Sequence, residues 1–173
     1  MSYQIASAEN SGIESNSINL ITVAQAFHWF DIDAFAKEVN SVLKDGGVLA
    51  IWTYNLLSVQ GTNGKAIDDA INHLYGSVLE GFWPDERALV ETGYKDIQLP
   101  FKELKAPVFY MSAEWSLPQI TGYLNTWSAA KKYQEEVGVN PVEMLNDEIS
   151  GIWGEPEITR LIKWPLSIRV WQK

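Results

Sequence analysis

The chain contains no cysteine among its 173 residues, and it has only two histidines. The absence of cysteine excludes disulfide bonds, thiolate nucleophiles, iron–sulfur clusters and cysteine-ligated zinc. Carboxylates do not cluster around either histidine in the sequence, so the usual ligand spacing of a metal site is missing as well. We therefore expect chemistry carried by imidazole, hydroxyl, amide and carboxylate groups, without a metal.

Basic residues are also scarce, because 13 Lys and Arg oppose 22 Asp and Glu and give a formal net charge of −9. Such a charge attracts neither phosphates nor an anionic membrane, so neither nucleic acid nor a membrane is an expected partner. No apolar run approaches the roughly 20 residues of a membrane-spanning helix, and no signal peptide is visible at the start. We expect a cytoplasmic protein whose partner is a small-molecule substrate.

Three motifs of common enzyme classes are absent. The chain has no G-x-S-x-G stretch for a serine nucleophile, no G-x-x-x-x-G-K-[ST] loop and no G-x-G-x-x-G loop. The first absence argues against an α/β-hydrolase, and the second excludes a P-loop nucleotide enzyme.

Hydrophobic patterning predicts alternating strands and helices. Residues 18–24 form a β-branched, almost wholly apolar run, which is typical of a strand buried in a parallel sheet. Asp31 resembles a helix N-cap, and apolar residues then recur at helical spacing as far as Gly46 and Gly47. A second buried strand over 48–52 completes a β–α–β unit with parallel strands. We predict one α/β domain over residues 1–173, with a mixed, mostly parallel sheet flanked by helices.

The rest of the chain follows the same rules. The further predicted elements are a short strand over 3–6, a helix over 66–79, a short helix over 85–91, extended segments over 97–101 and 107–111, one helix over 116–136, a helix from 141 and a final strand over 159–171, interrupted at Pro165.

Ligands of open α/β sheets bind beyond the carboxyl ends of the parallel strands. This rule selects the loops at residues 7–10, 25–31 and 53–57. The middle loop carries Phe27, His28, Trp29 and Phe30 in succession, and some of these side chains should form the wall of a cavity. His28 has two interpretations: a histidine satisfied by a backbone carbonyl, or a group that binds substrate or accepts its proton.

Several of these segments resemble a known family. The stretches Ser7-Ala8-Glu9, NLITVAQAFHWFD over 19–31 and VLKDGGVLAIW over 42–52 are similar to class I S-adenosylmethionine-dependent methyltransferases. Within that family they most resemble the methyltransferase type 11 branch that includes trans-aconitate methyltransferase. The stretches FWPDER over 82–87, LNTWSA over 124–129 and WPLSIRV over 164–170 extend the similarity to the end of the chain.

The resemblance implies a Rossmann-like fold, S-adenosylmethionine as cofactor and roles for individual residues. Ser7, Ala8 and Glu9 match the segment that flanks the adenine, whereas Gln25, Ala26 and His28 match the loop beside the sulfonium and the substrate. His28 is the candidate catalytic base for a hydroxyl or amine acceptor. The candidate substrate-binding residues are aromatic side chains and one arginine suited to a carboxylate, namely Trp29, Tyr54, Arg87 and Trp127.

The resemblance also shows what this sequence does not match. Family members begin with a strand, a glycine-rich loop for the methionine part of the cofactor and a second strand that ends in an acid for the ribose. We therefore expect the C-terminal portion of a truncated fold, with an incomplete cofactor site. The strand over 18–23 would then form an exposed edge, covered by a displaced N-terminal strand or by a second copy in a dimer.

Two functions therefore stay open. One is a methyltransferase for a small-molecule acceptor, either as this chain or as part of a longer enzyme. The alternative is a non-catalytic remnant or binding module that self-associates or pairs with a separate N-terminal segment.

Overall fold

The structure is a computed structural model that describes residues 2–173. Its strands and helices occur along the chain in the order β1 (Ile18–Ala24), α1 (Ile32–Val42), β2 (Leu43–Tyr54), β3 (Ser58–Val59), α2 (Gly64–His73), α3 (Arg87–Glu91), β4 (Lys102–Leu104), β5 (Phe109–Trp115), α4 (Leu117–Leu124), α5 (Ser128–Val137), α6 (Pro141–Trp153) and β6 (Arg160–Gln172). A 3₁₀ turn over Phe27–Trp29 follows β1, and a π-helical turn over Leu74–Val78 follows α2.

The described chain divides into two compact units. The first consists of residues up to Asn55, Glu86–Phe109 and Leu166–Lys173, and the second of Leu56–Asp85 and Tyr110–Pro165. Strand β6 therefore contributes residues 166–172 to the first unit and 160–165 to the second.

The first unit contains the predicted β–α–β arrangement. Strand β1 pairs in parallel with β2, with Ile21 opposite Leu49 and Val23 opposite Ile51. The other edge of β2 pairs antiparallel with residues 166–172 of β6, which in turn pair with β4. The α/β fold with a mixed sheet is thus confirmed.

Local sequence explains why α1 lies where it does. The Asp31 carboxylate accepts a hydrogen bond from the Ala34 backbone N–H at 3.0 Å and so caps the helix. Phe35 and Val39 recur at helical spacing and are buried. They belong to the core cluster of this unit, whose other members include Val23, Phe27, Leu49, Ile51, Tyr94 and Trp171. Burial of this face stabilises the helix against the sheet.

The second unit is mainly helical. Helix α6 packs against α2, α4 and α5, and its buried side chains include Leu145, Ile149 and Trp153. Within the same unit β3 pairs antiparallel with β6, Val59 lying opposite Ile162. Asn140 caps α6 through a bond from the Val142 backbone N–H, and Pro141 occupies the first helical position.

Several predicted elements differ in the structure. Residues 3–6 form no strand, and the helix predicted over 116–136 is divided into α4 and α5 because the Asn125 side chain bonds the Thr121 carbonyl and the backbone is extended at Trp127. The helix expected to end at Gly46 ends at Val42, since Leu43 is already extended and pairs with Ile18.

The extended segment expected over 97–101 is also displaced along the chain. The strand of this region is β4, which begins at Lys102. Among residues 2–173, no helix combines the length and the apolar character needed to cross a membrane.

Candidate functional site

An apolar cavity of about 320 Å³ lies in the first unit, toward the carboxyl end of β1. Its walls come from the segment before β1, from β1 itself, from the loop after it and from α1. The lining includes Ala8, Ile13, Ile21, Val23, Ala26 and Phe30. This is the position at which open α/β sheets bind ligands, and the volume lies at the lower end of the range typical of small-molecule sites.

The segment Ser7–Glu9 is held against the start of α1. The Ser7 hydroxyl donates to the Glu9 carboxylate, and Glu9 Oε1 accepts the Asp31 backbone N–H at 3.1 Å. The Ser7 hydrogen bond, followed by bonds from backbone N–H groups, lowers the pKa of Glu9 below its ordinary value. The structure thus places an ionised carboxylate beside Ala8, which lines the cavity.

Gln25 is fixed by its neighbours in β2. Its backbone is left-handed, with φ of 50°, an uncommon conformation for a residue with a side chain. Its Oε1 accepts two hydrogen bonds, from the Thr53 hydroxyl at 2.7 Å and from the Tyr54 backbone N–H at 3.0 Å. The side-chain oxygen of Gln25 is therefore committed to the protein, and its NH₂ group is the donor that a ligand could use.

His28 lies in the 3₁₀ turn after β1 and is half-buried. Its Nδ1 is 2.9 Å from the Tyr94 hydroxyl oxygen. Burial is the first cause that lowers the pKa of His28 below its ordinary value, and the positive charge of Arg87 adds to this, whereas Glu86 opposes it. The imidazole is therefore favoured in its neutral form, which a proton acceptor requires.

Tyr94 is a site residue that the sequence analysis missed. It is fully buried, and burial raises the pKa of its hydroxyl. Its backbone is left-handed with φ of 60°, directly after Gly93 with φ of 63°. The nearest sequence signal is Gly93, a residue type that commonly ends helices. Such a strained backbone at a buried tyrosine is the kind of feature that clusters at functional sites.

Arg169 holds the backbone that carries Tyr94. Its Nη1 donates to the carbonyl oxygens of Tyr94 and Ile97. Its Nε and Nη2 bond the Glu103 carboxylate at 2.8 and 2.9 Å, and its guanidinium lies 4.6 Å from the centre of the Trp171 ring. The planar guanidinium thus joins β6 to the segment around Tyr94, and each of its three nitrogens donates a hydrogen bond.

The structure brings several predicted site residues together within the first unit. Ala8 and Ala26 line the same cavity, Tyr54 contacts Gln25, and Arg87 is close enough to His28 and Tyr94 to affect the pKa of both. Trp29 is 58% exposed and its ring centre lies 4.7 Å from that of His28.

Trp127 belongs to the second unit, where it stands at the start of α5. Its ring contacts those of Tyr75, Trp83 and Tyr123, with centroid separations of 5.8, 5.5 and 6.1 Å. Trp127 thus belongs to an aromatic cluster of the second unit.

Comparison with known proteins identifies the class. Residues 1–51 match the methyltransferase domain family. A protein of Dictyostelium discoideum described as a methyltransferase is 31% identical over 126 residues, which cover 73% of this chain and 48% of that protein. An uncharacterized methyltransferase of Schizosaccharomyces pombe is 28% identical over 134 residues, 77% of this chain and 50% of that protein.

A solved structure from Anaeromyxobacter dehalogenans, described as a type II methyltransferase, is 35% identical with a TM-score of 0.89. The match covers 99% of this chain and 71% of that one. The parallel β–α–β unit with a cavity at the end of β1 defines a Rossmann-like α/β protein. The chain belongs to the class I S-adenosylmethionine-dependent methyltransferase family. It spans about half the length of the curated relatives that it matches.

Proposed function

We propose that this chain binds S-adenosylmethionine and contributes to methyl transfer to a small-molecule acceptor. One observation carries the proposal: the apolar cavity is bounded by Ala8 and Ala26, from the two segments that the family resemblance assigns to the cofactor. A flat heterocycle such as adenine suits a narrow cavity with apolar walls. The residues present therefore fit the adenine end of the cofactor.

Bound S-adenosylmethionine would supply an already activated methyl group, so the protein's tasks are alignment and exclusion of water. Ala8 and Phe30 would pack against the adenine, and Ala26 would lie on the side of the sulfonium. His28 would accept the proton of a hydroxyl or amine acceptor, since its imidazole is favoured neutral. Trp29, Tyr54 and Arg87, all in the first unit, would contact the acceptor.

Calorimetric titration with S-adenosylhomocysteine tests the cofactor part of the proposal. The folded chain should bind it with micromolar affinity, about −8 kcal/mol. Ala8→Phe fills the cavity and should weaken binding at least tenfold, because a large ring then occupies the adenine position. Ala106→Phe adds the same ring in another cavity of the same unit and should leave the affinity unchanged. A folded wild-type chain that produces no heat up to millimolar ligand overturns the proposal.

A second candidate function, self-association, is favoured by the edge of β1. Among the described residues β1 pairs with β2 on one side, and Leu20 is 56% exposed. The strand sequence INLITVA contains no charge and no proline, which are the usual devices that protect an edge. The backbone donors and acceptors of such an edge can pair with the same edge of a second chain that is related by two-fold symmetry. We therefore propose a second copy of this chain as the partner.

Light scattering with hydrogen exchange tests this association. The chain should be dimeric, with slow exchange of the backbone amides of β1. Leu20→Lys should shift it toward monomer by placing two charges near the two-fold axis. Val137→Lys alters a similarly exposed apolar residue on α5 and should leave the dimer intact. A monodisperse wild-type monomer whose β1 amides exchange freely excludes the idea.

A further inference from the structure

We infer that Glu38 on α1 makes the apolar cavity specific for a purine with an amino group, by accepting a hydrogen bond from the amino group of the cofactor's adenine. This inference rests on the proposed function and deepens it, because it concerns the same cavity. Glu38 lies outside every sequence stretch on which the family resemblance rests. The groups concerned all belong to the first unit.

Glu38 differs in charge from the rest of the cavity wall. Of residues 2–173 that line this cavity, it is the one charged residue, and the hydroxyl residues Ser11 and Thr22 are the other polar ones. Its neighbours on α1 that share the lining, Phe35 and Val39, are apolar and buried. Glu38 itself is half-buried. A carboxylate in such surroundings is stabilised only when donors reach its oxygens, so the donors that it meets are informative.

One oxygen of the Glu38 carboxylate is occupied by the protein. Oε1 accepts two hydrogen bonds from Ser11, one from the backbone N–H at 2.9 Å and one from the hydroxyl at 2.5 Å. Ser11 follows closely after Ala8, which lines the same cavity. The two bonds therefore hold the carboxylate in a fixed position beside the segment that we propose to flank the adenine.

The other oxygen of Glu38, Oε2, is left for a ligand. Within residues 2–173 it accepts no hydrogen bond, and Glu38 has no ion pair with a Lys, Arg or His side chain. A carboxylate oxygen can only accept, so the ligand group that binds it must be an N–H or O–H donor. Such a charge-assisted bond is strong where the surroundings are apolar.

The amino group of adenine matches this arrangement better than the other donors of the cofactor. The ribose hydroxyls and the ammonium of the methionine part are strongly hydrated, and they need several polar partners when they leave water. Adenine has two apolar faces and an amino group at its edge, whereas the cavity has apolar walls and one free carboxylate oxygen. A base with an oxygen in place of the amino group would set an acceptor against an acceptor and bind poorly.

Calorimetric titration of the full chain with two ligands tests the inference. S-adenosylhomocysteine carries the amino group, whereas S-inosylhomocysteine carries an oxygen at the same position and has the same net charge at neutral pH. The wild type should bind the inosine analogue roughly tenfold more weakly or worse, because Glu38 Oε2 repels that oxygen. Equal affinities for the two ligands overturn the inference, and this result requires no variant.

Glu38→Gln should remove most of the discrimination. The glutamine oxygen can still accept from Ser11, and the NH₂ group in the place of Oε2 can donate to the oxygen of the inosine analogue. The ratio of the two affinities should therefore fall to about threefold or less. Asp33→Asn is the matched control, since it removes one negative charge from an exposed residue of α1 outside this cavity. It should leave the ratio as in the wild type.

The outcomes separate the inference from the proposed function. An unchanged ratio in folded Glu38→Gln overturns the inference and leaves the proposed cofactor site in place. A folded wild-type chain that binds neither ligand overturns the proposed function itself. If Glu38→Gln does not fold, the wild-type ratio alone decides the question.

Discussion

Replacing Arg169 by lysine should destabilise the fold mainly because the backbone around Tyr94 loses hydrogen bonds from the guanidinium. The weaker ion pair with Glu103 should contribute only slightly. The side chain is 14% exposed, whereas its partner Glu103 is 49% exposed. Lysine keeps the charge but loses the planar fork that reaches two carbonyl oxygens and one carboxylate together.

The magnitude follows from these contacts. Hydrogen bonds that involve a charged donor contribute about 1.5–3 kcal/mol each, and a single ammonium cannot reproduce both bonds to the Tyr94 and Ile97 carbonyls. Loss of one of them costs about 2 kcal/mol. Contact with the half-exposed Glu103 adds at most about 1 kcal/mol, because solvent screens it. We expect Arg169→Lys to lower the free energy of unfolding by about 2–4 kcal/mol.

Urea denaturation followed by tryptophan fluorescence measures this loss. Glu103→Gln is the matched control, since it removes the ion pair and leaves the two carbonyl bonds in place. It should cost less than about 1 kcal/mol. If Glu103→Gln costs as much as Arg169→Lys, the stabilisation comes from the ion pair and the reasoning is refuted.

Three further changes test the fold and the site. Gly93→Ala should cost about 2–4 kcal/mol, because φ is 63° and a Cβ would lie 2.5 Å from Ser167 Oγ; Ser167→Gly should relieve part of that cost in a double-mutant cycle. Asp31→Ala should cost about 1 kcal/mol in thermal or urea unfolding, and Asp31→Asn, which can still cap α1, should cost clearly less. The lowered pKa of His28 means that the unfolded chain binds more protons, so stability should be complete above pH 6.5 and decline as the pH falls through the folded pKa. His28→Gln should remove this part of the pH dependence. An unchanged profile of stability against pH would show that His28 is not its source.

The elements around the cavity could be predicted from the sequence because their signals are local. The β-branched run of β1, the Asp31 cap and the spacing of Phe35 and Val39 each act within a few residues. The loop carrying His28 could be located because the carboxyl ends of parallel strands are where such folds bind ligands.

Errors arose where two conformations were locally similar in energy. Residues near Asn125 have helical neighbours on both sides, and a side-chain bond to Thr121 decides the break between α4 and α5. Leu43 could have continued α1, but its pairing with Ile18 in the sheet makes it extended. Tertiary contacts override weak propensities in both cases.

The sequence by itself determined the family, the β–α–β unit and the identity of His28 as a candidate base. It could not determine the partner of that base, because Tyr94 is 66 residues away along the chain and nothing local indicates which of the seven tyrosines approaches His28. Only the tertiary structure identified Tyr94 as the partner of His28. The backbone turns at Gly93, where φ is positive, and Arg169 holds the segment that carries Tyr94. The hydrogen position on an imidazole depends on groups that folding brings together from distant strands and loops.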